Sequence, residues 1–219
     1  MDTTGLIVDY GYYDWQVKRL QFVLTTYGEN FFNGKKILEI GSYKGGMSLL
    51  LHNLVKTTGG SITSVEGLLE NYNYCKETYP YINFIHYDLD SPNINDWIFD
   101  NNYDIIIHWG VLYHLQYPSE SIKRCLQHCD KLFLETLIVD TDNNEIIHVE
   151  EKNIWGTDQS IHEIGSRFNT IFLENIFNHL PFIRYDNSEL NSAGQPAYDW
   201  IPSNNNEIYR RFWVIDTKL

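Results

Sequence analysis

The sequence predicts an α/β fold, a mostly parallel sheet covered by helices on both faces, and three observations carry that expectation. Short apolar runs such as "KILEI" at Lys36–Ile40 and "YDIIIHWG" at Tyr103–Gly110 recur along the chain. Amphipathic segments separate them, which is the pattern of βαβ units. The chain has 219 residues, 43% of them hydrophobic and 15% aromatic. That is enough for one sizeable core, so residues 1–219 read as a single domain.

Taken in order, residues 1–35 form an N-terminal helical segment. Asp14 can cap a helix that runs to Tyr27, with Trp15, Leu20, Val23, Leu24 and Tyr27 as its buried stripe. "KILEI" is a buried strand and Gly45–Val55 a helix. "SITSVEG" is a strand and Leu68–Thr78 a helix. "INFIHYDL" is a strand, followed by a short helix near Asn95–Phe99. "YDIIIHWG" is a strand, Ser119–His128 a helix and "KLFLETLIV" a strand. The pattern then loosens, and residues 141–168 read as an insertion or lid. Thr170–Leu180 returns to helix, "FIRYD" and "YRRFWVID" are closing strands, and "PSNNNE" at Pro202–Glu207 is a polar loop.

Composition narrows the function classes. The formal net charge is −13 with a pI near 4.9. A nucleic-acid binder needs a basic face, and Lys and Arg are scattered here apart from "KRL" and "YRRF". Nucleic acid is therefore not the expected partner. No apolar run approaches the roughly 20 residues of a membrane span. The N-terminus lacks the basic start and apolar core of a signal peptide. Cys75, Cys125 and Cys129 do not make a disulfide framework. A soluble, cytoplasmic protein is expected.

The chemistry centres on "KILEIGSYKGG". Glycines at a strand-to-helix turn let the backbone approach a ligand, and the helix N-terminus offers free N–H groups. The spacing is Glu39-x-Gly41-x-x-x-Gly45-Gly46. A carboxylate beside that turn disfavours a pyrophosphate and favours an amine-bearing ligand. Glu66 ends the next strand, where ribose hydroxyls can bind. Asp88 ends the one after, where it can accept from an adenine amino group. Carboxylates at three successive strand ends describe a nucleoside that carries an ammonium.

"LEIGSYKGG", "SVEG", "HYDLD" and "YDIIIHWGVLYHL" resemble the first four motifs of the class I S-adenosylmethionine-dependent methyltransferases. The likeness covers residues 36–139. It implies a Rossmann-like sheet of seven strands with the last antiparallel, and S-adenosylmethionine as cofactor. In that family Gly41 and Gly45 face the methionine part, Glu39 lies near its amine, Glu66 holds the ribose and Asp88 the adenine. Ser42, Gly67, Leu89 and His108 complete the implied cofactor set. The family's usual middle glycine is Tyr43 here, which implies a bulkier loop. A narrower similarity, in "DWQVKR", "GVLYH" and "LFLETLIVDTDN", is to the bacterial tRNA wobble-uridine carboxymethyltransferases. Those use a carboxylated cofactor, whose extra carboxylate is read by a Tyr and a late Arg. Tyr113 matches the first and Arg211 the second. The basic residue usual after "LYH" is Leu115 here, and the basic tRNA-binding portion has no counterpart, so the kinship is one of scaffold.

Methyl transfer is an in-line displacement, and the protein must position the nucleophile and take its proton. His114 follows the fourth strand and suits a general base near neutral pH; it is either that or a packed helix-start residue. Tyr113 lines the cofactor or fills the wall. His108 is a cofactor-side or a core residue. Asp140 and Asp142, with Asp88 or His148, offer oxygen and nitrogen donors to Mg²⁺, but turn chemistry explains them without it, and a metal is not favoured. His162 and Arg167 in the lid are candidate substrate contacts, with a surface ion pair as the other reading of Arg167. Cys125 and Cys129 read as buried thiols. The aromatic end, "AYDWIP" and "YRRFWVI", walls a ring-binding pocket or packs the core. The expected function is methyl transfer to a small-molecule or carbohydrate hydroxyl, which makes glycan modification one setting for it. A tRNA-modifying carboxymethyltransferase and a non-catalytic cofactor-binding scaffold are the rivals.

Overall fold

The computed structural model describes residues 12–91, 97–99, 101–139, 145–152, 160–185 and 208–218, with the side chains of 12–15, 97, 208 and 209 excepted. Helix α1 (Tyr12–Tyr27) leads into strand β1 (Lys36–Ile40). Helix α2 (Gly46–Val55), strand β2 (Ser61–Glu66), helix α3 (Leu69–Thr78) and strand β3 (Asn83–His86) follow. Strand β4 (Tyr103–Trp109) ends in a 3-10 turn at Leu112–His114, then come helix α4 (Pro118–Gln127) and strand β5 (Cys129–Val139). Strands β6 (Ile147–Glu150) and β7 (Ile164–Arg167) precede helix α5 (Thr170–Phe177) and strands β8 (Phe182–Tyr185) and β9 (Ile208–Asp216).

Seven strands form one sheet in the order β3-β2-β1-β4-β5-β9-β8, while β6 and β7 pair as a separate antiparallel ribbon. The five strands from β3 to β5 run parallel. Strand β9 is antiparallel to both of its neighbours. The expected mostly parallel, Rossmann-like α/β sheet is therefore the one observed.

Side-chain alternation splits the core in two. Ile37, Ile105, Ile107, Phe133 and Phe212 face α1 and α2, with Leu20, Val23, Leu49 and Leu50 packed onto them. Leu38, Ile106, Leu132, Leu134 and Trp213 face the other way, against Ile122 and Cys125 of α4 and Leu173 and Phe177 of α5. Local signals set the helix starts. Pro118 opens α4, where a missing N–H costs nothing. The Asn169 side chain caps α5 by accepting from Phe172 N at 2.8 Å. On α1, Leu20, Val23 and Leu24 are buried as expected. The side chains of Asp14 and Trp15 lie outside the described residues, as do the "PSNNNE" loop and "AYDWIP". The three cysteines are free thiols and buried, and burial pushes Cys75 and Cys129 up to about 12. Among the described residues, no helix is long and apolar enough to cross a membrane.

Candidate functional site

Strands β1 and β4 are neighbours, yet β1 leads into α2 on one face and β4 into α4 on the other. Between such strands the connections diverge and leave a crevice at their C-terminal ends, where open α/β sheets bind ligands. A cavity of about 600 Å³ opens there.

Its first wall is the turn after β1. Gly41 and Gly45 have φ of +77° and +78°, a region costly for side chains with a Cβ. A Cβ on Gly41 would sit 2.1 Å from Cγ2 of Val111. Tyr43, at the position where a glycine was expected, also has positive φ, +50°. Its N–H donates to Glu66 Oε2 at 2.7 Å. Leu68 N–H donates to Glu66 Oε1 at 2.9 Å. Burial raises Glu66, and these backbone donors counter it. Glu39 is 2% exposed, and its Oε2 accepts from Ser48 Oγ at 2.5 Å and Ser64 Oγ at 2.7 Å. Oε1 has no hydrogen-bond partner among the described residues. Burial pushes the Glu39 carboxyl up to about 7, against the two serine hydroxyls that lower it.

The opposite wall is the 3-10 turn after β4. The Tyr113 and His114 rings lie 4.0 Å apart, and both residues line the cavity. His114 Nδ1 meets Glu151 Oε2 at 2.5 Å, and Arg167 Nη2 donates to Glu151 Oε1 at 2.9 Å. Burial would raise Glu151, but His114 and Arg167 hold it below the usual carboxylate range. Beneath Tyr113 lies a fully buried charge cluster. Arg210 Nη2 donates to Tyr113 Oη at 2.9 Å and Arg210 Nη1 to Glu135 Oε1 at 2.6 Å. Arg19 Nη1 donates to Glu135 Oε2 at 2.7 Å. Burial would raise Glu135, and the two guanidiniums pull it below its ordinary value.

Of the residues expected from sequence, Glu39, Gly41, Ser42, Glu66, Gly67, Leu89, Tyr113 and His114 surround this one cavity. The others lie off its lining. Gly45 supports the turn from behind, where a Cβ would meet the Tyr79 ring at 2.9 Å. Asp88 Oδ2 is bonded to His162 Nε2 at 2.8 Å, and it is Asp90 of the same turn that borders the cavity. His108 pairs with Ile40, one residue out of phase with Glu39, and faces α4 with Nε2 3.1 Å from Ser121 Oγ. Burial pulls it down to about 4. Arg167 serves Glu151, as above. The late arginine beside Tyr113 is Arg210, because Arg211 points to the other face of β9. Asp140 and Asp142 lie outside the described residues. Asp88, Asp90 and His162 bring ligand atoms within 4.8 Å of one another, but both Asp90 oxygens accept from the backbone N–H groups of Gln116 and Tyr117.

Sequence reasoning missed Glu151, Arg210, Arg19 and Asp90. One signal was present: Glu135 interrupts the apolar run of β5, and a buried carboxylate requires a cation.

No family model matches the chain. Over 127 residues it is 26% identical to "Putative methyltransferase 235L" of Invertebrate iridescent virus 6, covering 56% of this chain and 45% of that protein. The chain thus spans less than half the length of that relative. Among solved structures, the N-terminal domain of EvdMO1, crystallised in the presence of SAH and D-fucose, superposes with a TM-score of 0.69 at 17% identity, covering 94% of this chain and 83% of that one. An S-adenosylmethionine-dependent methyltransferase from Clostridium acetobutylicum superposes with a TM-score of 0.57 at 12% identity, covering 95% and 92%. Sheet order and cavity place define an α/β fold with a cavity at the switch point. More particularly, the chain has the fold of the S-adenosylmethionine-dependent methyltransferases.

Proposed function

We propose that the protein binds S-adenosylmethionine and transfers its methyl group to a hydroxyl of a small molecule or carbohydrate, with His114 as general base. The observation that carries this is the convergence of Glu39, the Gly41 turn, Glu66 and His114 on one cavity. The residues fit the cofactor. The Glu39 oxygen without a partner suits an ammonium, and Glu66 borders the same cavity at the strand end that would meet the ribose. The Gly41 turn borders the cavity and would meet the methionine part there, with Val111 packed where a Cβ would stand. When bound, the cofactor supplies a methyl made electrophilic by its sulfonium. His114 would then take the acceptor's proton, and a positioned base of this kind contributes about 10²–10⁴-fold. The structure solved with D-fucose supports a carbohydrate acceptor only through likeness of fold.

Calorimetry with S-adenosylmethionine and its demethylated product, followed by labelled-methyl transfer to a panel of sugars and small alcohols, tests the proposal. Binding, transfer to a hydroxylated acceptor and a loss of about 10²-fold or more in His114→Ala are expected. No heat and no thermal shift would overturn it, and binding with no transfer would favour the scaffold reading.

The Tyr113–Arg210 contact favours a second reading, a carboxylated cofactor used for carboxymethyl transfer. Tighter binding of the carboxylated form than of S-adenosylmethionine itself would select it. The net charge of −13 counts against tRNA as its acceptor, and a gel shift with tRNA at low salt checks that point.

A further inference from the structure

We infer that Glu151 is a positioning residue for His114, held by Arg167 and admitted by Gly165, and that it turns the bare Nε2 of the imidazole toward the cavity. This rests on the reading of His114 as base and deepens it.

Glu151 directly follows β6, its N–H bonded to the Glu163 carbonyl just before β7, and its side chain is 2% exposed. Arg167 Nη2 occupies Oε1 at 2.9 Å. A carboxylate facing a guanidinium is ionised and has only lone pairs to offer. The proton in the 2.5 Å contact between Oε2 and His114 therefore sits on Nδ1. That fixes the tautomer: Nδ1–H donates and Nε2 carries the free lone pair. Nε2 makes no hydrogen bond among the described residues, and His114 lines the cavity.

The ribbon is built to hold this arrangement. Arg167 Nη1 also donates to the Tyr113 carbonyl at 3.2 Å, and Ser166 Oγ donates to the Leu115 carbonyl at 2.6 Å. Both bonds tie β7 to the turn that bears His114. At Gly165 a Cβ would lie 2.4 Å from Glu151 Cδ and 2.5 Å from both Glu151 Oε1 and the Tyr113 carbonyl oxygen. The position has an ordinary φ, so the requirement is for space. Only a glycine lets the carboxylate slip between the ribbon and the turn.

The acceptor class follows. As the acceptor oxygen bonds to the methyl carbon, its proton passes to Nε2. The carbon–sulfur bond breaks with its electron pair left on sulfur. Glu151 balances the imidazolium that forms, and the proton is later lost to water. A nucleophile that arrives carrying a proton, such as a hydroxyl, has use for such a base, whereas a tertiary amine has none.

Nitrogen-15 NMR of the imidazole in the full chain, without any acceptor, reads the tautomer directly. In the wild type, His114 is expected as the Nδ1–H form, with the signature of a bare Nε2. Glu151→Ala should release it to the Nε2–H form that free imidazoles prefer, and Gly165→Ala should do the same with the carboxylate still present. A wild-type His114 protonated on Nε2, or a tautomer unchanged in Glu151→Ala, would overturn the inference. The wild-type spectrum decides the matter even where a variant fails to fold. Calorimetry with S-adenosylmethionine on the same variants should stay within about threefold of wild type, since Glu151 stands off the cofactor residues. Absence of cofactor binding in the wild type would sink the methyltransferase reading while leaving the tautomer result standing, so the two failures are distinct.

Discussion

Glu39 shows how one residue can work against the stability of the fold that presents it. Its carboxyl is raised from the usual 4.5 to about 7, first by burial and then by the nearby Glu66, with Ser48 and Ser64 opposing. A carboxyl raised on folding favours the native state only while it is protonated. Its contribution is therefore fully present below pH 4.5 and is lost as pH rises toward 7. A shift of this size corresponds to up to about 3 kcal/mol. Glu39→Gln should accordingly raise the urea midpoint at pH 8 and leave it nearly unchanged at pH 4. The same variant should weaken S-adenosylmethionine binding by about tenfold or more, since a charged partner for the ammonium is lost. In the wild type, affinity should tighten as pH rises through about 7 and then level off, with proton release at lower pH visible as a buffer-dependent heat. An affinity flat across that range would remove Glu39 from the ammonium site.

At the scale of elements, period-two alternation explains what the sequence made legible. "KILEI", "SITSVE", "YDIIIHW" and "KLFLETLIV" were readable as strands because they are short, apolar and followed by turn residues. Their order was enough to place Glu39, Gly41, Glu66 and His114 at one edge of a sheet. Register was not readable, and a single residue of phase decides the face. This separates His108 from Glu39 and gives Tyr113 an Arg210 where Arg211 was expected. The β6–β7 ribbon escaped because its strands have only four residues each and three of the four in β6 are exposed, so the brief alternation of Ile147, His148, Val149 and Glu150 marks no buried face. Its order comes from contacts with the His114 turn. Strand β3 is shorter than "INFIHYDL" suggested, as Tyr87 and Asp88 already belong to the turn bonded to Glu66 and Asp90. The β1 turn offers the test at this scale. Gly41→Ala must carry a Cβ at φ +77° into Val111. A loss of about 2 kcal/mol or more in stability, from strain and overpacking together, is expected in thermal or urea unfolding. Cofactor affinity should fall with it, whereas Gly28→Ala, at φ +96° with open space around it, should show the strain alone.

Across the whole molecule, the Arg19–Glu135–Arg210 cluster joins three parts of the chain that are distant in sequence: α1, the centre of β5 and the start of β9. All three side chains are buried, at 0% exposure for Arg19 and Glu135 and 4% for Arg210. One carboxylate accepts from both guanidiniums, and this sets the order of two substitutions. Glu135→Gln takes the carboxylate from both guanidiniums at once, and removing one partner of a buried pair costs about 3–5 kcal/mol. That is a large part of the roughly 5–15 kcal/mol by which a domain of this kind is stable. Arg19→Met instead leaves the Glu135–Arg210 pair matched one to one and fills much of the vacated volume with an apolar chain. Its cost should be clearly smaller, because exchanging a buried charge for a packed hydrophobe is often close to neutral. Urea denaturation of the two variants at pH 7 compares them directly. A larger loss in Arg19→Met than in Glu135→Gln would mean that both guanidiniums are needed to neutralise something else. In that case the charge on the cavity floor would have to be counted with whatever binds above Tyr113.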